Sequence, residues 1–366
     1  MERIYNFSSA PSTLPDAVVE KIRENISHYG ENCSSFLEIG KVSGEYDKIV
    51  SEAEALLREI MSIPQNYKVM FLSGNSAVQY SAIPMNILSE HKCADYVISG
   101  QLSKNASIEA KKYGDIAISA SSAGASPTFS TIPEVKKSDI RPDADYAYVC
   151  YNDTIYGTKF YYTPDTGNIP LVADMSSFML TEPFDITKFA LVFADAERGI
   201  GMSGLTVLIV RDDMISSTRA DTPSHLNYKN ILEGKTAANT ASVTALFVAK
   251  LVFEWIKSLG GLEEIKRRNE RKASLIYDYL DSQNYYTAPV DKKCRSMMNV
   301  VFFTGEPKLD AEFCKEARQY GLLNLDGHSS VGGMCASIYN AMDVSGVEAL
   351  VEFMKKFASE NPRFNG

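Results

Sequence analysis

The stretch LVFADAERGIGMSGLTVLIV, Leu191 to Val210, decides how the rest of the chain is read. Two apolar runs, Leu191–Ala194 and Leu205–Val210, flank a turn rich in acids and glycine. Consecutive apolar residues of this kind mark strands buried on both faces of a sheet. A turn of that composition between such strands has the layout of a cofactor site, and Arg198 stands where a reactive lysine would be expected. Arginine cannot do a lysine's work. Its guanidinium stays protonated, with a pKa above about 12, and its nitrogen lone pairs are delocalised.

Similar short apolar runs recur upstream at Lys68–Leu72, Asp95–Ser99, Asp115–Ser119, Tyr146–Tyr151 and Leu171–Ala173. Helical stretches separate many of them; in Ser103–Tyr113, Ile108 and the stems of Lys111 and Lys112 are expected to lie against a sheet. Such alternation predicts an α/β fold with a mostly parallel sheet. Downstream, Ser242–Leu259 reads as a long helix with Leu246, Ala249, Phe253 and Ile256 on one face, stopped by Gly260-Gly261. Then come a charged helix (Leu262–Leu280), the strand-like run MMNVVFF (Met297–Phe303) and a helix (Asp310–Tyr320). A second strand-like segment around Met334–Tyr339 and a closing helix (Ser345–Ser359) complete a smaller α/β unit. The expected organisation is an N-terminal segment (1–15) packing on the small domain, a large cofactor-type domain (16–260) and a small C-terminal domain (261–366).

A length of 366 residues, 45% hydrophobic and 23% charged, suits an ordinary globular protein with more than one core. With 37 basic against 46 acidic side chains, the balance argues against a nucleic-acid or anionic-membrane partner. No apolar run approaches the roughly 18 residues of a membrane span, and the N-terminus lacks a secretion signal's apolar core. Six scattered cysteines with no Cys-x-x-Cys pair point to reduced thiols and a cytoplasmic location. Four histidines without ligand spacing point to no metal site.

Ligands in open α/β sheets bind at the loops after strands. In LSGNSAVQY (Leu72–Tyr80), a strand turns into a helix whose first N–H groups suit a phosphate, although Gly, Asn and Ser also occur at such junctions for geometry alone. LVADMSS (Leu171–Ser177) puts Asp174 at a strand end, where a carboxylate either caps a helix or holds a protonated ring nitrogen. YNDTIYG (Tyr151–Gly157) repeats that layout with Asn152 and Thr154 as polar ends.

These segments carry a resemblance. Together with YNFSSAPSTLP, PDTGNIPLVADMSS, GLTVLIVRDD, DTPSHLNY, GHSSVGGMCASIYNAM and GVEALVEFMKKF, they make the chain similar to the phosphoserine aminotransferase family, class-V enzymes of pyridoxal-phosphate (PLP) fold type I. The resemblance runs nearly end to end. It implies a homodimer with active sites at the subunit interface and conversion of 3-phosphohydroxypyruvate and glutamate into phosphoserine and 2-oxoglutarate. It also assigns roles. Asp174 matches the aspartate on the pyridine nitrogen and Thr154 the threonine on the phenolic oxygen. Ser76 and Ala77 match the phosphate-cradling turn, and Asn239 and Thr240 the pair that a neighbouring subunit brings to that phosphate. His328 matches a histidine that meets the substrate phosphate.

The departures are concentrated in the same places. The family's Gln-Lys-Asn, with its cofactor-bearing lysine, reads Glu197-Arg198-Gly199. Glu197 adds a negative charge where an anion should bind, and Arg198 is its expected local ion-pair partner. The stacking tryptophan is Leu102. Ser-His-Arg-Ser reads Gly40-Lys41-Val42-Ser43, His-Arg reads His328-Ser329, and Gly-Gly-Met-Arg reads Gly332-Gly333-Met334-Cys335. Three anion-binding arginines are therefore missing, each worth roughly 1.5–3 kcal/mol to a buried anion. Three readings stay open. Either fold and dimer persist while transamination is lost or very weak, leaving a pseudoenzyme or a partner subunit, or another lysine, Lys41 or Lys104, carries the chemistry, or a different phosphorylated or carboxylated metabolite is handled with PLP or pyridoxamine phosphate held non-covalently or absent.

Overall fold

The computed structural model describes residues 4–30, 35–88, 91–215, 218–234 and 241–362. Seven strands make the central sheet: β1 (Tyr67–Ser73), β2 (Cys93–Ile98), β3 (Asp115–Ser121), β4 (Tyr146–Cys150), β5 (Leu171–Asp174), β6 (Leu191–Asp195) and β7 (Leu205–Arg211). Their order is β1-β7-β6-β5-β4-β2-β3. β7 is antiparallel to both neighbours and every other pair is parallel, so six strands point one way. This is the mostly parallel α/β sheet that the apolar runs predict.

Those runs are continuous because both faces of the sheet are covered. Along β6, Val192 and Ala194 enter one core while Leu191 and Phe193 enter another, as the alternation of a strand requires. Each such burial contributes roughly 1.5–3 kcal/mol for the larger side chains. Helices α1 (Gly44–Met61) and α4 (Val243–Ser258) pack on the first face, α2 (Ser76–Ile87) and α3 (Gln101–Ala110) on the second. Ser242 caps α4 by accepting from Ala245 N at 3.1 Å, and Gly260 and Gly261 end the region at positive φ, where glycine alone is unstrained. Leu246, Ala249, Phe253 and Ile256 are all buried.

One expectation fails here. Ile108 is 51% exposed and Lys111 and Lys112 face solvent. The buried face of α3 is Ser103, Ala106, Ser107 and Ala110, small side chains that let the helix lie close to its neighbours.

A third core lies C-terminal to α4. Strands β8 (Asn299–Phe302) and β9 (Met334–Ser337) pair antiparallel. Helices α5 (Leu262–Ser282), α6 (Pro307–Gln319) and α7 (Val344–Glu360) close around Ile276, Phe302, Phe313 and Phe357. The start of the chain joins this unit: Tyr5–Asn6 pairs in parallel with Leu322–Leu323, and Phe7 is buried in the same core. Among the described residues, no helix is long and apolar enough to cross a membrane.

Candidate active site

Because six strands share one direction, the loops after β1, β2, β4, β5 and β6 open on a single edge of the sheet. That edge receives Ser76 and Ala77 after β1, Leu102 after β2, Thr154 after β4, Asp174 at the end of β5, and Asp195 through Arg198 at the end of β6. Parallel topology alone thus gathers residues up to 122 positions apart.

Asp174 is buried. Its Oδ1 accepts from Ser176 N at 2.9 Å and Ser176 Oγ at 2.6 Å, and its Oδ2 accepts from the Tyr80 hydroxyl at 3.3 Å. Burial holds its carboxyl above the usual range, against the pull of the Ser176 hydrogen bonds and of Arg198. Asp195, one strand across, accepts at the N-terminus of α2. The Ser76 N–H donates to its Oδ1 and Ser76 Oγ donates to its Oδ2 at 2.9 Å. Burial and the nearby Asp174 push the Asp195 carboxyl up to about 6.

Arg198 points inward between these groups. Its side chain is 14% exposed. Nη1 donates to Thr154 Oγ1 at 2.6 Å, and Nε lies 3.8 Å from Asp195 Oδ2, without a hydrogen-bond partner among the described residues. Burial opposes the charge, but Tyr339, Asp195 and Asp174 outweigh it, so the guanidinium is held more firmly protonated than usual. Gly199 follows at φ +103°, which lets the chain turn immediately after the inserted side chain. Thr154 Oγ1 meets Ser177 Oγ at 2.7 Å, and Ser177 Oγ meets the Tyr339 hydroxyl at 2.8 Å. A continuous hydroxyl chain therefore links Arg198 to the C-terminal unit.

The expected Glu197–Arg198 ion pair is replaced by two separate arrangements. The guanidinium takes its partners from the interior, whereas Glu197 Oε2 accepts from Ser203 Oγ. Adjacent residues in this turn face different ways, so neighbouring opposite charges do not meet. Leu102 is partly buried, and its N–H donates to Asp153 Oδ2 at 3.2 Å. Gly100 sits so close to that carboxylate that a Cβ would overlap it.

On the C-terminal side, a cavity of about 180 Å³ brings together Thr154, His328 and Cys335 with Phe7, Ser9, Asp326 and Ser337. It is smaller than the about 300–1,000 Å³ of ordinary ligand pockets, and its lining holds one histidine but no lysine or arginine among the described residues. His328 Nδ1 meets Ser330 Oγ at 2.7 Å. Burial pushes the Cys335 thiol up to about 11, so it is neither a thiolate nor a cation substitute. Lys41, Val42 and Ser329 are exposed and do not line this cavity; Val42 is 93% exposed. Lys104 is exposed on α3. Asn239 and Thr240 lie outside the described residues. No cluster of metal-ligating side chains occurs among the described residues.

Sequence reasoning missed Asp195, Tyr80, Ser177 and Tyr339. A signal existed for the first: LVFAD ends in a carboxylate just as LVAD does. Nothing local announces the other three.

Comparison with known proteins agrees with this architecture. The profile of the Aminotransferase class-V family matches residues 4–350. The phosphoserine aminotransferase of Bacillus cereus is 43% identical over 361 residues, covering 99% of this chain and 100% of that protein. That of Nitrosomonas europaea is 44% identical over 365 residues, covering 98% and 99%. Among solved structures, the phosphoserine aminotransferase from Bacillus circulans subsp. alkalophilus superposes with a TM-score of 0.93 at 38% identity, covering 98% of this chain and 99% of that one. The PLP-bound enzyme from Trichomonas vaginalis gives 0.89 at 32% identity, covering 96% and 100%. Matched by the class profile and along nearly its whole length by these relatives, the chain belongs to the phosphoserine aminotransferase family of class-V aminotransferases.

Proposed function

We propose that this chain keeps the fold and homodimer of its family while having lost phosphoserine transamination, or all but a trace of it. The observation that carries this reading is the Arg198 guanidinium bonded to Thr154 at 2.6 Å in the place assigned to a Schiff-base lysine. PLP, when bound to such an enzyme, serves as an electron sink that needs an attached amine, an acid on its ring nitrogen and anchors for its phenolic oxygen and phosphate. The residues present do not fit that group as they stand. Arg198 supplies no nucleophile, and Thr154 Oγ1 is held between the Arg198 guanidinium and Ser177 Oγ, whereas Asp174 Oδ2, with only the Tyr80 hydroxyl at 3.3 Å, keeps acceptor capacity for a ring N–H. The substrate side carries no replacement for the missing arginines in the cavity that holds His328 and Cys335. A rescue by Lys41 or Lys104 is disfavoured because, within one chain, neither lines the cavity that holds Thr154 and His328. The five described cysteines are free thiols, in keeping with a cytoplasmic location.

The test is turnover of phosphoserine with 2-oxoglutarate by the purified protein, alongside borohydride reduction in the presence of PLP. At most a trace of turnover and no stoichiometric phosphopyridoxyl label on any one peptide are expected. Turnover at ordinary enzyme rates, in the range of about 1–10³ s⁻¹, sinks the reading. The dimer is checked by sedimentation at micromolar concentration, where a single species of twice the chain mass is expected and a monomer counts against it.

A further inference from the structure

We infer that Asp195 is an internal anion standing in for the cofactor's phosphate at the start of α2, and that this carboxylate, more than Arg198, keeps PLP out of the protein altogether. The inference rests on the proposed loss of transamination but goes further, because loss of the lysine alone would still permit PLP to bind non-covalently.

The first turn of a helix offers unpaired N–H groups and a positive dipole end, which together favour an anion. At α2 the first of these N–H groups, that of Ser76, is bonded from inside the chain. Both carboxylate oxygens of Asp195 are used, one by the Ser76 N–H and the other by Ser76 Oγ at 2.9 Å. Asp195 is 2% exposed and belongs to β6, a strand buried at every position. Thr154, the handle for the phenolic oxygen, is likewise engaged from inside the chain, by Arg198 Nη1 at 2.6 Å and Ser177 Oγ at 2.7 Å.

Charge points the same way. Asp153, Asp174 and Asp195 are buried at this edge beside a single guanidinium. Arg198 sits among the carboxylates as their counter-ion, near Asp195 and within electrostatic reach of Asp174 and Asp153. Adding a phosphate dianion would put further negative charge into a water-poor cluster that already holds more acids than bases. The chain has thus exchanged an external anion for an internal one, and a covalent cationic link for an arginine.

The experiment is equilibrium dialysis of the full chain against PLP, with pyridoxal and inorganic phosphate as separate probes. It is run on the unaltered protein, Arg198→Lys, Asp195→Ala and Asp195→Asn, with circular dichroism confirming the fold of each. The unaltered protein and Arg198→Lys should show no saturable PLP uptake up to millimolar concentration. Asp195→Ala should gain at least about tenfold in affinity for PLP and for inorganic phosphate, but not for pyridoxal, which lacks the phosphate. Asp195→Asn, which removes the charge and keeps the shape, should gain in the same direction and decides the matter if the alanine variant does not fold. Stoichiometric PLP on the unaltered protein, or no gain in a folded Asp195 variant, overturns the inference. Because uptake is read without turnover, PLP bound to an inactive protein would defeat this inference and leave the proposed function standing.

Discussion

Arg198→Lys alone should leave phosphoserine transamination at background. The lysine would regain a nucleophile, and Asp174 and Thr154 remain in place beside it. Asp195 would remain as well, bonded through both oxygens to Ser76. At an effective dielectric near 20, like charges about 4 Å apart repel by on the order of 4 kcal/mol before screening and backbone donors reduce the figure. The substrate side is a second obstacle. By resemblance to the family, Val42, Ser329 and Cys335 replace three substrate-binding arginines, each contact worth roughly 1.5–3 kcal/mol or about 10- to 150-fold. A combined variant, Val42→Arg, Asp195→Ala, Glu197→Gln, Arg198→Lys, Ser329→Arg and Cys335→Arg, should therefore exceed the single variant by at least about 10³-fold in kcat/KM. Its gain should be far more than the sum of its members, because the groups act on one bound complex. The assay is phosphoserine with 2-oxoglutarate for the parent, the single and the combined variant. A single variant that turns over at ordinary rates would show that neither Asp195 nor the missing arginines stand in the way.

How much of this was legible in the sequence depends on the range of the interaction. Strand β7, expected at Leu205–Val210, is observed at Leu205–Arg211, and the helix expected over Ser242–Leu259 runs from Val243 to Ser258 between its cap and its glycines. Apolar periodicity and caps are local, and local patterns suffice for them. Membership of the family was legible from motifs, and with it the gathering of Asp174, Thr154 and Arg198 at one edge. The partners of Arg198 were not. Thr154 is 44 positions away, whereas Glu197 is adjacent, and sequence proximity favoured the wrong carboxylate. The Ser76–Asp195 contact spans 119 positions and exists only because β1 and β6 flank β7 with their ends on one edge. Tyr80 reads locally as an apolar face of α2, and its hydroxyl acquires a role only when the helix lies over β5.

If Arg198 is the counter-ion of a buried acidic cluster, then removing its charge should cost stability in a pH-dependent way. Arg198→Met keeps length and apolar stem but leaves Asp195 and Asp174 buried without their cation. Breaking one side of such a pair typically costs about 3–5 kcal/mol. The lower end, about 3 kcal/mol at pH 8, is expected here because Nε stands 3.8 Å from Asp195, a loose pairing. The sign with pH follows from Asp195. Its carboxyl titrates at about 6 in the folded protein and near 3.9 in the unfolded chain. Between those values the folded state binds more protons, so this group's contribution to stability is greatest below pH 4 and falls as pH rises through 6. Without the guanidinium the folded carboxyl moves higher still, and the variant's deficit relative to the parent opens as pH rises and is largely closed near pH 5. Urea denaturation of parent and variant at pH 5 and pH 8 reads it directly. The double variant Asp195→Asn/Arg198→Met should recover most of the pH 8 loss, since neutralising both partners removes the uncompensated charge. A loss equal at both pH values, or strictly additive single and double variants, would mean that Arg198 merely fills space and that the acids at the sheet edge do not depend on it.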